Sequence, residues 1–159
     1  MAVGAARENA TPKAIADRYT KQYLADIEAL SIDLSKITFP RATAYIEEQI
    51  AMIRKLEEKG LAYATSDGVY FDTERLPSYG ILGNVRQVEL QAGARVALGE
   101  KKNEHDFVLW RKAKPNDLQQ WDSPWGKGNP GWSIECSAMA VELLGERIDL
   151  HTGGQDHIQ

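Results

Sequence analysis

Two stretches near the end of the chain decide its fold: SPWGKGNPGWSIECSAM, residues 123–139, and IDLHTGGQD, residues 148–156. The first stretch leads into a predicted helix over 133–144, which Gly145 ends. Residues 147–151 predict a short strand that opens into a glycine turn. A helix, a strand and a glycine turn in this order form half of a strand–helix–strand unit from a parallel sheet. Because a parallel strand needs neighbours on both sides, we expect an α/β fold that is unfinished at its C-terminal end.

Two amphipathic helices are predicted in the first part of the chain. Thr11 and Pro12 provide an N-cap and a favourable first residue for a helix that runs to about Leu30. The second helix ends at Lys59 and Gly60, where glycine suits the left-handed conformation that closes many helices. Its apolar residues recur every three or four positions: Ile46, Ile50, Ile53 and Leu56. We expect the two helices to pack against each other.

The middle of the chain predicts short strands joined by irregular segments. A small hairpin is expected from 61–64 and 69–71, with Asp67 and Gly68 at its turn as a dipeptide that tolerates positive φ. Further strands are predicted at 84–90, 95–98 and 107–110.

Turn-forming residues and tryptophans are concentrated before the last predicted helix. Residues 123–131 predict a rigid loop because they are rich in glycine and proline. The tryptophans close to this loop are Trp110, Trp121, Trp125 and Trp132. A local aromatic core and a binding pocket explain their crowding equally well. The charged runs at 57–59 and 100–102 predict solvated faces.

The composition indicates a globular protein of one domain or two small subdomains, because 43% of its 159 residues are hydrophobic. No apolar run approaches the roughly 18 residues that a membrane span needs, and the N-terminus lacks the layout of a secretory signal. The net charge of -4 provides no broad basic field for a phosphate backbone, so contact with RNA would be local. Cys136 is the single cysteine and excludes an internal disulfide, which fits a reducing compartment. Together with the lack of a span and of a signal, this predicts a cytoplasmic protein without a membrane partner.

Cys136 and the glycine turn are the candidates for chemistry. Cys136 lies at the start of the predicted helix, where the helix dipole favours a thiolate that can bind a metal. A buried structural cysteine is the simpler alternative, since no second cysteine and no paired histidines complete a zinc site. Gly153 and Gly154 permit close backbone approach to a nucleotide, and Asp156 can accept hydrogen bonds from a ribose or an amine. An ordinary solvated turn explains the same residues.

Taken together, the two C-terminal stretches resemble the signature of cysteinyl-tRNA synthetases, which are class I synthetases. Segments farther upstream are also similar to that family: FPRAT at 39–43, VYF at 69–71 and HDFVLWRKAK at 105–114. The resemblance covers the chain from about Thr11 to Asp156. It implies a partial Rossmann-like catalytic domain of a class I synthetase with its connective insertion.

This resemblance also implies roles for individual residues. Cys136 corresponds to a zinc ligand of the family, and Trp132 corresponds to a residue that lines the amino-acid pocket. Gly154, Gln155 and Asp156 correspond to positions at the aminoacyl-adenylate. Enzymes of this family activate cysteine with ATP and transfer it to tRNA, so cysteine, ATP and tRNA are the expected partners of the full enzyme. An open zinc position would bind the substrate thiolate and reject serine.

The resemblance divides the chain into a flexible N-terminus at 1–10, a helical pair with the connective insertion at 11–132, and the start of the second Rossmann half at 133–159. The family's His-x-Gly-His motif, its Lys-Met-Ser-Lys-Ser-type loop and most of its zinc ligands are absent, so we expect this chain alone not to aminoacylate tRNA. The family commonly has Arg in place of Asn129 and His in place of Ser133. Exposed half-domain surface predicts homo-oligomers. The alternatives are a fragment of a cysteine:amino-sugar ligase and a truncated, non-catalytic module that self-associates.

Overall fold

The computed structural model describes residues 2–81 and 100–153. The helices are α1 (Ala2–Arg7), α2 (Pro12–Ala29), α3 (Ile46–Glu58) and α4 (Trp132–Leu144), and the strands are β1 (Ala62–Ala64), β2 (Gly68–Phe71), β3 (Phe107–Lys112) and β4 (Gly128–Pro130). Short 3-10 helices lie between them at Leu34–Lys36, Ala42–Ala44 and Thr73–Arg75. None of the helices in the described ranges combines the length and the apolar character needed to cross a membrane. The strands predicted at 84–90 and 95–98 lie outside the described residues.

The strands form one antiparallel sheet in the order β1-β2-β3-β4. The expected hairpin is confirmed, since β1 and β2 pair with Ala62 opposite Phe71. The predicted strand at 107–110 is also confirmed as β3, which pairs with β2 on one side and with β4 on the other. β4 lies within the segment predicted as a rigid loop, and it forms an edge of the sheet.

The parallel strand predicted over 147–151 is wrong. These residues are exposed and have no regular structure. A lone strand leaves its backbone N–H and C=O groups without partners, and no strand of the described residues pairs with this segment. In the described residues, the α/β class therefore rests on helices packed against an antiparallel sheet.

The turn of the β1–β2 hairpin differs in detail from the expectation. Gly68 belongs to β2 and does not have a positive φ. The turn is closed by the amide of Thr65, which donates to the carbonyl of Gly68 at 2.8 Å. Glycine is needed at 68 because a Cβ there would lie 2.4 Å from the carbonyl oxygen of Trp110 on β3. Close strand approach, and not left-handed backbone, explains this residue.

The core lies between the sheet and the pair α3 and α4. It is formed by one residue of α3, one of α4 and four of the sheet: Ile53, Ile134, Val69, Phe71, Leu109 and Trp110. The predicted apolar stripe of α3 is confirmed, with Ile53 fully buried and its helical neighbours packed around it. The helix ends as predicted at Gly60, whose φ is 71°.

The expected packing of α2 against α3 is wrong. α3 packs mainly against α4, while the main contact of α2 is with α1. Ile15 is the buried residue of α2, and several of its apolar side chains are exposed, among them Tyr19 and Tyr23. The N-terminal residues, which show no periodicity, form α1 and bury Ala5. The apolar stripe of α2 is real, but the sequence does not identify the surface that it meets.

Candidate functional site

The loop before α4 is closed by its own polar groups. The hydroxyl of Ser123 donates to the carbonyl oxygen of Gly126 at 2.5 Å, and it accepts from the amide of Trp125 at 3.2 Å. Gly126 has a φ of 100°, a backbone conformation that residues other than glycine rarely adopt. These contacts explain why turn formers are concentrated here, and they agree with the predicted loop up to Lys127, whereas 128–130 form β4.

The start of α4 is fixed by close contact between backbones. The amide of Gly131 donates to the carbonyl oxygen of Leu109 at 2.8 Å. A Cβ at Gly131 would lie 2.0 Å from the carbonyl oxygen of Val108, so only glycine fits between this position and β3. Gly131 is also the N-cap of α4. The direction in which α4 leaves the sheet is therefore set by β3.

α4 separates a buried face from an exposed face. Ile134 and Ala138 are buried against the core. Trp132 is 76% exposed, and Cys136, one helical turn farther along, is also exposed. The predicted helix is confirmed, and the structure brings these two candidate residues to one face. Cys136 is therefore not the buried structural cysteine of the simpler alternative.

The other candidate residues are not placed. Gly154, Gln155 and Asp156 lie outside the described residues. Within residues 2–81 and 100–153, no group of three or more His, Cys, Asp or Glu side chains is arranged to hold a metal ion. One exposed thiol falls short of the three or four ligands that zinc takes, so the described residues do not by themselves fit a zinc site.

The tryptophans have different roles. Trp110 is fully buried, and Trp121 and Trp125 pack against the core around it. The rings of Trp110 and Trp125 are 6.1 Å apart between centroids. Trp132 stands apart from them on the exposed face of α4. The aromatic-core interpretation thus applies to three tryptophans, and only Trp132 is available to line a binding surface.

Glu57 has a specific partner that sequence analysis missed. Both of its carboxylate oxygens accept from the indole Nε1 of Trp125, at 3.1 and 3.0 Å. The prediction that 57–59 is only a solvated face is therefore wrong at Glu57. The partner lies 68 residues away in sequence, so no local pattern identifies the pair.

The run at 100–102 is likewise tied to the hairpin. Glu100 accepts hydrogen bonds from the amide and the hydroxyl of Ser66. The amide of Lys102 donates to the hydroxyl of Tyr63 at 2.7 Å, and its ammonium lies 4.1 Å from the centroid of the same ring. These contacts join the segment before β3 to the hairpin, while Glu100 and Lys102 remain exposed, as the prediction of a solvated face requires.

A buried carboxylate organises the turn before β3. Asp106 is 1% exposed and accepts from the hydroxyl of Tyr63, from the amide and hydroxyl of Thr73, and from the amide of Asn103. Burial alone would raise the pKa of Asp106, but these hydrogen bonds outweigh it and lower the pKa. The charged carboxylate therefore holds the hairpin, the turn and β3 together.

Glu135 on α4 has the opposite electrostatic character. It is half-buried beside the exposed face, and burial raises its pKa above the usual range. Its position in the first turns of the helix favours negative charge, yet desolvation dominates. Glu135 is thus partly buried beside the exposed Cys136.

Comparisons with known proteins identify the family to which this sequence is similar. Residues 2–158 match the family described as tRNA synthetases class I (C) catalytic domain. The chain is 52% identical to a cysteine–tRNA ligase of Pyrococcus furiosus, over 92% of this chain and 31% of that protein. A cysteine–tRNA ligase 1 of Burkholderia lata is 49% identical, over 99% of this chain and 34% of that protein. The chain therefore spans about a third of the length of the curated relatives it matches.

Proposed function

Since this chain belongs to the family of class I (C) tRNA synthetase catalytic domains, we propose that it forms one wall of the cysteine-binding site of a cytoplasmic cysteine–tRNA ligase. The observation that carries this proposal is the placement of Trp132 and Cys136 one helical turn apart on the exposed face of α4. A tryptophan ring offers an apolar surface to a small substrate, and a thiolate offers a soft ligand.

The proposal assigns the remaining candidates to the rest of that site. Gly154, Gln155 and Asp156 contact the aminoacyl-adenylate formed from cysteine and ATP, before the cysteine passes to tRNA. Cys136 supplies one zinc ligand, and the other ligands lie outside the described residues. Residues 11–132 form two helices and the connective insertion, and residues 133–159 begin the second half of the catalytic domain, with 1–10 as a separate N-terminal segment.

The chain by itself is inactive under this proposal, because catalysis of adenylate formation needs cationic and backbone groups positioned on the phosphates of ATP. A segment exchange tests the function directly. Residues 11–153 replace the matching segment of the Pyrococcus furiosus relative, and cysteine-dependent exchange of pyrophosphate into ATP is measured. The chimera is expected to activate cysteine, whereas this chain alone shows no exchange above background.

Variants of the chimera test the assigned residues. Cys136→Ala is expected to lower kcat/KM for cysteine at least about 100-fold, because it removes the thiolate. Ser137→Ala, at the exposed position next to it, is the matched control and leaves kcat/KM within about twofold. A folded chimera that activates cysteine equally well with and without Cys136 would contradict the assignment.

We also propose that the C-terminal half of α4 mediates self-association of the isolated chain. Val141, Leu143 and Leu144 are exposed there although they are apolar, and an exposed apolar face favours association with a second copy. Light scattering after size exclusion should show a dimer that Leu144→Glu dissociates. Leu118→Glu, at an exposed apolar position between β3 and β4, is the control and keeps the dimer. A monomeric parent chain would refute the proposal.

A further inference from the structure

We propose that Glu57 is a positioning residue for the face of α4 that carries Trp132 and Cys136. This inference rests on the proposed function, because that face matters only if it binds cysteine. Glu57 lies at the end of α3, and its carboxylate accepts hydrogen bonds from Trp125 in the loop before α4. Its effect would therefore pass through the loop before α4.

The contact between Glu57 and Trp125 is stronger than an ordinary surface contact. The indole Nε1 of Trp125 lies 3.1 and 3.0 Å from the two carboxylate oxygens of Glu57, and both side chains are half-buried. Hydrogen bonds to a charged acceptor are about twice as strong as those between neutral groups. Partial burial reduces competition from water. The bond thus fixes Trp125 against the last turn of α3.

Trp125 is also held from the side of the sheet. Its ring packs near the ring of Trp110, which is fully buried on β3. The hydroxyl of Ser123 closes the backbone around Trp125. The indole of Trp125 therefore has a ring contact to β3 and a hydrogen bond to α3, and the loop backbone has a further bond just after β3, where the amide of Ala113 donates to the carbonyl oxygen of Lys127 at 2.8 Å.

The loop connects directly to the start of α4. It continues into β4 and Gly131, whose amide is bonded to Leu109, and α4 begins at the next residue. α3 also packs directly against α4. Glu57 thus bonds α3 to the loop, while α3 and the loop are each in contact with α4. Without Glu57, the ring contact of Trp125 with Trp110 remains, but the Gly131 bond to Leu109 and the first turn of α4, which carries Trp132, lose a constraint relative to Cys136 in the next turn.

A spectroscopic measurement on this chain tests the proposal. Cys136 is the only cysteine, so it can be labelled uniquely with bimane, a fluorophore that a nearby tryptophan quenches. Trp132 lies one turn away on the same face, and Trp132→Phe defines the unquenched level. The variants are Glu57→Ala, Glu57→Gln and Trp125→Phe. Glu58→Ala removes the same charge at the adjacent exposed position and is the matched control.

The expected result separates the variants into two groups. Glu57→Ala and Trp125→Phe shift the fluorescence toward the unquenched level and speed hydrogen exchange of the Gly131 amide about tenfold. Glu57→Gln keeps an acceptor oxygen at about half the bond strength and stays within about threefold of the parent. In the double variant Glu57→Ala with Trp125→Phe, quenching and exchange change little beyond either single variant, because both substitutions remove the same hydrogen bond.

Two results would overturn the proposal. One is identical quenching and exchange in Glu57→Ala, Trp125→Phe and Glu58→Ala. The other is a lower urea midpoint with unchanged quenching and unchanged Gly131 exchange, which would make Glu57 a stabilising residue without a positioning role. If Glu57→Ala does not fold, the contrast between Glu57→Gln and Trp125→Phe decides in the same way. No catalytic activity enters the measurement, so its failure is distinguishable from failure of the cysteine-activation test on the chimera.

Discussion

Replacing Asp106 by alanine is expected to bring the chain close to unfolding. The carboxylate is 1% exposed and accepts hydrogen bonds from Tyr63 at 2.7 Å, from two groups of Thr73 at 2.9 Å each, and from the amide of Asn103 at 3.1 Å. Alanine removes the acceptor for all four donors at once. The amide and hydroxyl of Thr73 suffer most, because Thr73 is buried.

The magnitude follows from the donors that lose their partner. A hydrogen bond to a charged group contributes about 1.5–3 kcal/mol, and a buried donor left without a partner costs about 1–3 kcal/mol. Tyr63 and Asn103 are partly exposed, so water compensates them in part. We therefore expect a loss of about 3–5 kcal/mol in the free energy of unfolding. This is a large share of the roughly 5–15 kcal/mol that stabilises a typical domain.

The same carboxylate makes stability depend on pH. The pKa of Asp106 is lower in the folded chain than in the unfolded chain, where it is near the ordinary value of about 3.9. Its contribution is therefore complete above that value and is lost as the pH falls through the folded pKa. Asp106→Asn should remove this part of the acid dependence.

Urea denaturation followed by circular dichroism checks both statements at pH 7 and at pH 3. Glu104→Ala, at an exposed position in the same turn, is the control and should change the free energy of unfolding by less than about 0.5 kcal/mol. Asp106→Ala within about 1 kcal/mol of the parent chain would refute the reasoning, since it would mean that water replaces the buried acceptor.

Three further changes have defined outcomes. Gly131→Ala forces a Cβ to within 2.0 Å of the Val108 carbonyl oxygen and should cost about 3 kcal/mol in urea denaturation, with faster exchange in the first turn of α4. Ile53→Ala empties a fully buried position and should cost about 3 kcal/mol by the same measurement. Glu135→Gln should stabilise the chain at pH 7, because glutamine avoids burying the charge of Glu135. The raised pKa of Glu135 stabilises the fold below the unfolded pKa of about 4.3, and this stabilisation is lost as the pH rises through the folded pKa. Thermal melts at pH 4 and pH 7 check this, and Glu142→Gln on the same helix should change neither.

Local patterns predicted α2, α3, α4 and the hairpin correctly, because their signals are complete within a few residues, whereas α1 was not predicted in an N-terminal segment without periodicity. α2 begins at Pro12 behind a Thr11 side chain that accepts from Ala14, and α4 closes at Gly145 with a φ of 86°. The strand at 147–151 failed because a strand exists only through its pairing partners, which a short window of sequence does not contain. The prediction that α2 packs on α3 failed for a similar reason, since an apolar stripe does not show which element it packs against.

The candidate site was only partly predictable. Helical spacing alone places Trp132 and Cys136 on one face, and the structure agrees. The pairs that support this face join distant segments, as Glu57 does with Trp125. A charged residue in a run of charges gives no sign that it binds an indole elsewhere in the fold. Long-range side-chain pairs of this kind are the part of the site that only coordinates reveal.

The position of Asn129 shows how the frame of the site persists while side chains change. The resemblance to cysteinyl-tRNA synthetases implies arginine at this position, yet Asn129 accepts from the guanidinium of Arg111 at 3.2 Å and donates to the carbonyl of Gln119. The neighbouring glycines permit no such freedom: a Cβ at Gly128 would lie 2.3 Å from the carbonyl oxygen of Arg111. Backbone contact with β3 therefore determines where α4 begins, and side-chain contacts of β4 adapt to it. Substitution at Asn129 should leave the Trp132 and Cys136 face in place, whereas substitution at Gly128 should displace it.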